Sequence, residues 1–273
     1  MKRIRFLSVS LCVLALFALS AVMGACAKDE KKGLSVAELK TRGSFVLGLD
    51  DSFPPLGFRD EDNEIVGYDI DLAQEVCKRL GVKLVCQPID WAAKEQELNT
   101  GKIDCIWNGF TMTDERKAAM AFTKAYLNNA QVLVVRVDSG INSLADMKGK
   151  VIGIQAGSSA EEAVEGAPSF RNSVKQIVAF KENITALNDL GIKNIDAVVM
   201  DQVVANYSII QTGKPFVVLS EGLANEEYGV AFRKEDTELR DTVQRLLEEM
   251  QADGTVTAIS TKWFGTDLSV IGK

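Results

Sequence analysis

The chain has 273 residues, 47% of them hydrophobic and 25% charged, with a formal net charge of −7. It contains no histidine, which excludes Ser-His-Asp and Cys-His catalysis, His-ligated zinc and the commonest general base. The sequence carries no CxxC pair, no GxxxxGK[ST] phosphate loop and no GxGxxG after a strand, and a chain this acidic is a poor match for nucleic acid.

At the N-terminus, Lys2, Arg3 and Arg5 precede a run from Phe6 to Ala27 without a charged residue. A basic segment followed by an apolar one predicts an export signal. The run ends in Met23-Gly24-Ala25-Cys26, which resembles the bacterial lipobox, cut before a cysteine that carries diacylglycerol. Met23 stands where that motif usually has Leu. The resemblance implies a signal peptide over residues 1–25 and a lipid on Cys26, hence an extracytoplasmic, membrane-anchored protein. The other readings are an uncleaved transmembrane helix and a signal cut elsewhere with Cys26 incidental. Loss of Lys2, Arg3 and Arg5 with the signal takes the formal charge from −7 to −10. Ala27 to Gly33 is polar and without aromatics, and residues 26–40 are expected to form a flexible tether.

Ser44 to Leu49 is a short apolar run between polar segments and predicts a buried strand. Asp69 to Leu80 has helical periodicity, with Ile70, Ala73, Val76, Cys77 and Leu80 on one side and Gly81 as its stop. Val82 to Cys86 predicts a strand, Trp91 to Thr100 a helix, and Lys102 to Trp107 a third strand. The same grammar restarts at Leu144 to Lys150, which leads into a strand over Val151 to Gln155. Ala156 to Ser159 then opens a helix with acidic residues in its first turn. A later helix ends near Leu190-Gly191, and Ile195 to Met200 is another buried strand. Strands alternating with helices imply an α/β fold with parallel strands. Its ligands bind at the carboxyl ends of those strands. Gln131 to Val137 and a return segment around Tyr228 to Phe232 join the two units, and the helix from Thr237 to Gln251 packs back on the first. This gives one lobe over 41–130 and 228–273, a second over 131–227, and a cleft between them. Of the cysteines left after residue 26, Cys77 and Cys86 are the most plausible bridge in an oxidising compartment. Three buried free thiols, Cys105 included, are the equal alternative.

Several segments resemble the polar amino-acid family of bacterial solute-binding proteins, the external receptors of ABC importers. They are Gly48 to Pro55, Ile65 to Leu72, Gly101 to Asp104, Thr111 to Arg116, Leu144 to Gly149, Gln155 to Ser159, Ile195 to Ala197 with Asp201, and Tyr228 to Arg233. The resemblance implies two α/β lobes of the periplasmic binding protein type 2 architecture. Its implied partners are a free amino acid, an ABC permease and a membrane reached through the lipid, with no cofactor, metal or nucleic acid, and a monomeric state.

An amino acid presents a carboxylate and an ammonium, and burying either unpaired is costly. Arg116, last residue of a [ST]-x-T-x-x-R pattern with Thr111, is the expected carboxylate clamp, because a guanidinium pairs bidentately with a carboxylate. The rival reading is a surface Arg in a charged run. Asp201 ends an apolar strand and is implied as the ammonium partner; it also suits a helix cap. Ser158 and Ser159 would offer amides at a helix start or simply cap it. Asn108 and Gly109 would face the ligand or end the strand in a turn. Phe53 and Trp91 would wall the substrate side chain or pack in the core, whereas Trp107 belongs to the core. Asp50 would face the distal end of the ligand or bond the adjacent turn. Polar or basic amino acids fit broadly. Two other functions compete. One is a lipoprotein that senses a ligand and signals to a membrane partner. The other is a cyclohexadienyl dehydratase-like enzyme, for which no carboxylate stands out as an apolar-walled acid.

Overall fold

The computed structural model describes residues 33–273. The expected signal and Cys26 lie outside the described residues. Among the described residues no helix is long and apolar enough to cross a membrane.

Two five-stranded sheets organise these residues. Strands β1 (Ser44–Leu49), β2 (Ser52–Phe53), β3 (Gly57–Arg59), β4 (Ile65–Val66), β5 (Lys83–Pro88), β6 (Cys105–Ile106) and β7 (Met120–Phe122) come first. They are followed by β8 (Leu127–Arg136), β9 (Val151–Gln155), β10 (Gln176–Phe180), β11 (Ala197–Asp201), β12 (Phe216–Tyr228) and β13 (Ala231–Arg233). The first sheet has the order β5-β1-β6-β13-β7 and the second β10-β9-β11-β8-β12, while β2, β3 and β4 form a small antiparallel sheet. β1 is parallel to β5 and β6, and β9 is parallel to β10 and β11. Each lobe is therefore an α/β unit with crossover helices.

Both faces of each sheet are covered, so the strands read as continuous apolar runs. On β1, Phe45, Leu47 and Leu49 are fully buried with Leu72, Ala73 and Val76 of the helix Tyr68–Leu80. On β11, Ala197 and Val199 face one core while Val198 and Met200 face another. Each of the larger side chains among these contributes roughly 1.5–3 kcal/mol through burial. The helix Tyr68–Leu80 ends as its sequence predicts, with Gly81 in the left-handed region (φ 75°) donating to Cys77 O and Lys78 O.

Four expectations need correction. The tether is shorter than 26–40, because Leu34 N donates to Asp236 Oδ1 (2.7 Å) and a helix spans Val36–Arg42. That helix starts on a Ser35–Glu38 capping box and buries Leu39 completely. The lobes are not joined at Gln131–Val137. All of that segment but Val137 lies within β8, where its residues pair with β11 and β12 inside the second sheet. The crossing lies earlier, where Leu127 pairs with Tyr228 and Asn129 with Glu226. The third strand of the first unit is Cys105–Ile106 rather than 102–107. Finally, Cys77, Cys86 and Cys105 are all free, so no Cys77–Cys86 bridge is formed. Cys86 and Cys105 both pair with Leu47, on opposite sides of β1, and Cys77 is buried in the helix core.

Candidate functional site

The expected site residues follow the carboxyl ends of the parallel strands. Asp50 follows β1, Trp91 lies three residues beyond β5, Asn108 two beyond β6, and Ser158 three beyond β9, while Asp201 closes β11. The topology therefore brings residues far apart in sequence to the edge where the lobes face each other.

Several hydrogen bonds cross between lobes there. Gln155 Nε2 donates to Asp50 Oδ2 at 2.6 Å, and the Thr111 and Ser159 hydroxyls are 3.1 Å apart. Asp50 Oδ1 accepts from Ser52 N and Oγ (2.9 and 2.7 Å), and Asp50 N donates to Asn108 Oδ1. Asp50 thus bonds its own turn and the opposite lobe at once. Asn183 Nδ2 donates to Gln155 Oε1 (3.1 Å), fixing which end of that amide meets Asp50. Phe53 and Trp91 are both buried; Trp91 meets Phe110 edge-to-face at 5.7 Å. Trp107 is a core residue as expected.

Arg116 is 7% exposed, not a surface residue of a charged run. It makes no ion pair among the described residues. Nη1 donates to Thr111 O (3.1 Å), Nη2 to Gly157 O of the other lobe (3.3 Å), and Cζ lies 4.5 Å from the Phe110 ring centroid. Burial pushes its pKa down, as expected for a cation whose hydration has been replaced by neutral carbonyls.

Asp201 does not cap the helix Gln202–Thr212 through its side chain. Its Oδ1 accepts instead from Tyr228 Oη (2.6 Å), Asn129 Nδ2 (2.7 Å) and Gln131 Nε2 (3.0 Å). Asn129 Nδ2 and Gln131 Nε2 also reach Glu226 Oε2, at 2.9 and 3.0 Å, and Thr111 Oγ1 lies 3.1 Å from that oxygen. Two carboxylates thus share neutral donors, and neither has a cationic partner among the described residues. Burial first, and the Glu226 charge second, raise the pKa of Asp201.

Ser158 does not cap with its side chain; its Oγ donates to Gln155 O (2.8 Å). Ser159 Oγ accepts from Gln131 Nε2 (3.2 Å), which ties it to the same polar cluster. A cavity of about 760 Å³ opens beside this cluster, walled by Thr111, Asn129, Ser159, Glu162 and Glu226. Asp50, Phe53, Trp91 and Asp201 do not line it.

Gly109 takes a left-handed conformation (φ 57°), and a Cβ there would come within 2.9 Å of Phe53 and 2.6 Å of Leu56. Its N–H donates to Asp69 Oδ2 (2.8 Å), which also accepts from Tyr126 Oη (2.9 Å). Asp69 is fully buried, and desolvation raises its pKa to about 7. It is an apolar-walled carboxylate that the sequence did not reveal. The folded chain binds a proton at Asp69 between the ordinary carboxylate range and pH 7, where the unfolded chain does not. Its contribution to stability is therefore lost as pH rises through that window, by up to about 1.4 kcal/mol per pH unit. Thermal melts of the ligand-free protein from pH 5 to 8 should show this slope, and Asp69→Asn should reduce it to the part contributed by the similarly raised Asp201. An identical slope in that variant would refute the assignment.

Lys94, Gln131, Gln155, Glu226 and Tyr228 were not singled out as site residues from the sequence. Periodicity offered one signal: Trp91, Lys94 and Leu98 share a buried helical face.

Comparisons with known proteins place the chain in a family. The model of bacterial extracellular solute-binding proteins, family 3, matches residues 45–266. The L-cystine-binding protein TcyJ of Escherichia coli (strain K12) is 32% identical over 262 residues, 91% of this chain and 96% of the relative. The lysine/arginine/ornithine-binding periplasmic protein of the same strain is 30% identical over 234 residues, 83% of this chain and 88% of the relative. Among solved structures, a histidine-bound ABC uptake transporter substrate binding protein from Streptococcus pneumoniae superposes with a TM-score of 0.84 at 39% identity. That match covers 86% of this chain and 97% of the other. The fold is the two-lobed periplasmic binding protein type 2 architecture. By sequence and by fold, the chain belongs to the bacterial extracellular solute-binding proteins of family 3.

Proposed function

We propose that this protein captures a polar or basic amino acid between its lobes outside the cytoplasm and delivers it to an ABC importer, tethered by a lipid on Cys26. The observation that carries the reading is Arg116, a buried guanidinium with only main-chain carbonyls as hydrogen-bond partners. A ligand carboxylate offers that fork the two acceptors it matches. The ligand ammonium sits by Asp201 and Glu226, two carboxylates without an ion-pair partner among the described residues. Ser159 and Thr111 close over the carboxylate end, while Phe53, Trp91 and Asn108 surround the side chain, with Asp50 at its far end and Gly109 shaping the wall. Ser158 and Ser159 offer amides at the mouth of the helix. Lobe opening about the crossing strands admits the ligand.

Relatives named for cystine and for lysine, arginine and ornithine, and a similar structure solved with bound histidine, support the class of ligand. Isothermal calorimetry against the twenty amino acids, cystine and ornithine tests it, with binding expected for at least one; absence of heat for all, by ligand-free protein, overturns it. Mass spectrometry of the mature protein tests the anchor, and an unmodified N-terminus at any residue other than Cys26 removes that part.

An enzymatic reading has one point of contact. The ancestral amino acid-binding protein AncCDT-1, described as a precursor of cyclohexadienyl dehydratase, is 33% identical with a TM-score of 0.77. Asp69 and Asp201 are protonatable near neutrality but are held by neutral donors within the fold. No conversion of prephenate or arogenate is expected.

A further inference from the structure

Lys94 opens the short helix Lys94–Asn99, whose other residues apart from Leu98 are polar or charged. Lys94 itself is 4% exposed. Its Nζ donates to Trp91 O (3.2 Å) and, across the cleft, to Gly157 O (2.7 Å). It forms no ion pair among the described residues. Gly157 O is the same oxygen that accepts from Arg116 Nη2 at 3.3 Å. Both cations also lie over one ring, with Arg116 Cζ 4.5 Å and Lys94 Nζ 5.8 Å from the centroid of Phe110. Two buried cations thus converge on a single neutral carbonyl at the edge where the lobes meet.

Such an arrangement is costly while it stands alone. Each charge loses hydration, like charges repel, and only neutral carbonyls, Gly157 O shared between them, replace the water. Desolvation and then the Arg116 charge lower the pKa of Lys94 to about 8, against the weaker opposing pull of Glu95, Glu161 and Glu162. Gly157 itself holds a left-handed conformation (φ 70°), and a Cβ there would lie 3.1 Å from Ala92 Cα and 3.4 Å from Lys94 Nζ. The carbonyl is therefore presented by a loop that only glycine lets come this close.

We propose that Lys94 is a second cation for the carboxylate of the ligand, so that Lys94 and Arg116 hold it jointly. This rests on the reading that an amino acid occupies the cleft. A carboxylate brings two charged acceptor oxygens to a place where Gly157 offers one neutral oxygen. The specificity that follows is for free acids over their amides and esters.

The test is calorimetry on the mature protein, using the tightest binder found among L-arginine, L-histidine, L-cystine and the other amino acids, together with its carboxamide. Lys94→Met is expected to weaken binding of the acid by about 10- to 100-fold and to leave carboxamide binding nearly unchanged. The affinity of the unaltered protein should fall above pH 8 as Lys94 loses its proton. In Lys94→Met, and in Lys94→Arg with affinity largely retained, the fall should be shallower and set only by the titration of the ligand's own ammonium. An equal loss for acid and carboxamide would show that Lys94 only ties the lobes through Gly157, and would overturn the inference. Unchanged acid affinity in Lys94→Met would do the same. Where carboxamide binding is too weak to measure, identical pH profiles in the two proteins overturn it. Should the unaltered protein bind no amino acid at all, the functional reading fails first and this inference falls with it.

Discussion

Arg116→Met is expected to weaken amino-acid binding by about 100- to 1,000-fold, while the ligand-free protein melts no lower than before. Removing one partner of a buried charge pair costs about 3–5 kcal/mol, because the other charge is left without compensation. In the ligand-free protein the guanidinium is nearly inaccessible, and its partners are two main-chain carbonyls and the face of Phe110. Burial already lowers its pKa, so the empty fold carries a cost that the substitution relieves. Opposite signs on binding and stability separate a ligand clamp from a structural arginine. Arg116→Lys should recover only part of the affinity, since an ammonium lacks the planar fork. Calorimetry and thermal melts measure both quantities, and a dissociation constant within threefold of the unaltered protein would remove Arg116 from the site.

The second large effect concerns the paired carboxylates. Asp201→Ala is expected to weaken binding by about 100-fold, in line with a cost of roughly 2–5 kcal/mol for a ligand ammonium stranded without its partner. Asp201 binds its proton too tightly in the ligand-free state, owing to burial and the Glu226 charge. A bound ammonium favours the ionised form, so binding releases a proton. Affinity therefore falls as pH drops from neutrality, by at most about tenfold per pH unit for this group. Asp201→Asn should remove most of that slope. Glu226→Gln should move it to lower pH, because the neighbouring charge is one of the two causes of the shift. Calorimetry between pH 5.5 and 8 measures the profiles. A slope as steep in Asp201→Asn as in the unaltered protein would assign the titration to another group.

Strands with an apolar interior were legible in the sequence. Ser44–Leu49 and Val151–Gln155 have the bounds their patterns predict, because both faces are buried and polar residues bracket the run. The crossing between lobes was misplaced for the same reason. Val132 to Val135 is apolar because it lies deep in the second sheet, whereas the true crossing uses Asn128, Asn129, Glu226 and Glu227, whose polarity resembles any surface turn. The site divides similarly. As expected site residues, Asp201 and Arg116 are marked by position after an apolar strand or within a family pattern. Glu226 is not, because a charged residue beside other charged residues gives no sign of which one the fold will bury, and Lys94 is marked only by its helical spacing from Trp91 and Leu98. Asp69 was hidden in another way. An acidic residue in the first turn of a helix has a sufficient local explanation in the helix dipole, which masks its contact with Gly109 some 40 positions away.

The unbridged cysteines have a consequence for chemical durability. Burial pushes the Cys86 thiol up to about 11, raises Cys77 further and holds Cys105 well above its ordinary value. Thiol–disulfide exchange proceeds through the thiolate. At neutral pH the thiolate fraction of Cys86 is on the order of 10⁻⁴, and those of its neighbours are smaller still. Once the lobe is folded, their sulfurs are thus poor nucleophiles in exchange. Resistance to mispairing comes from the same packing that builds the core.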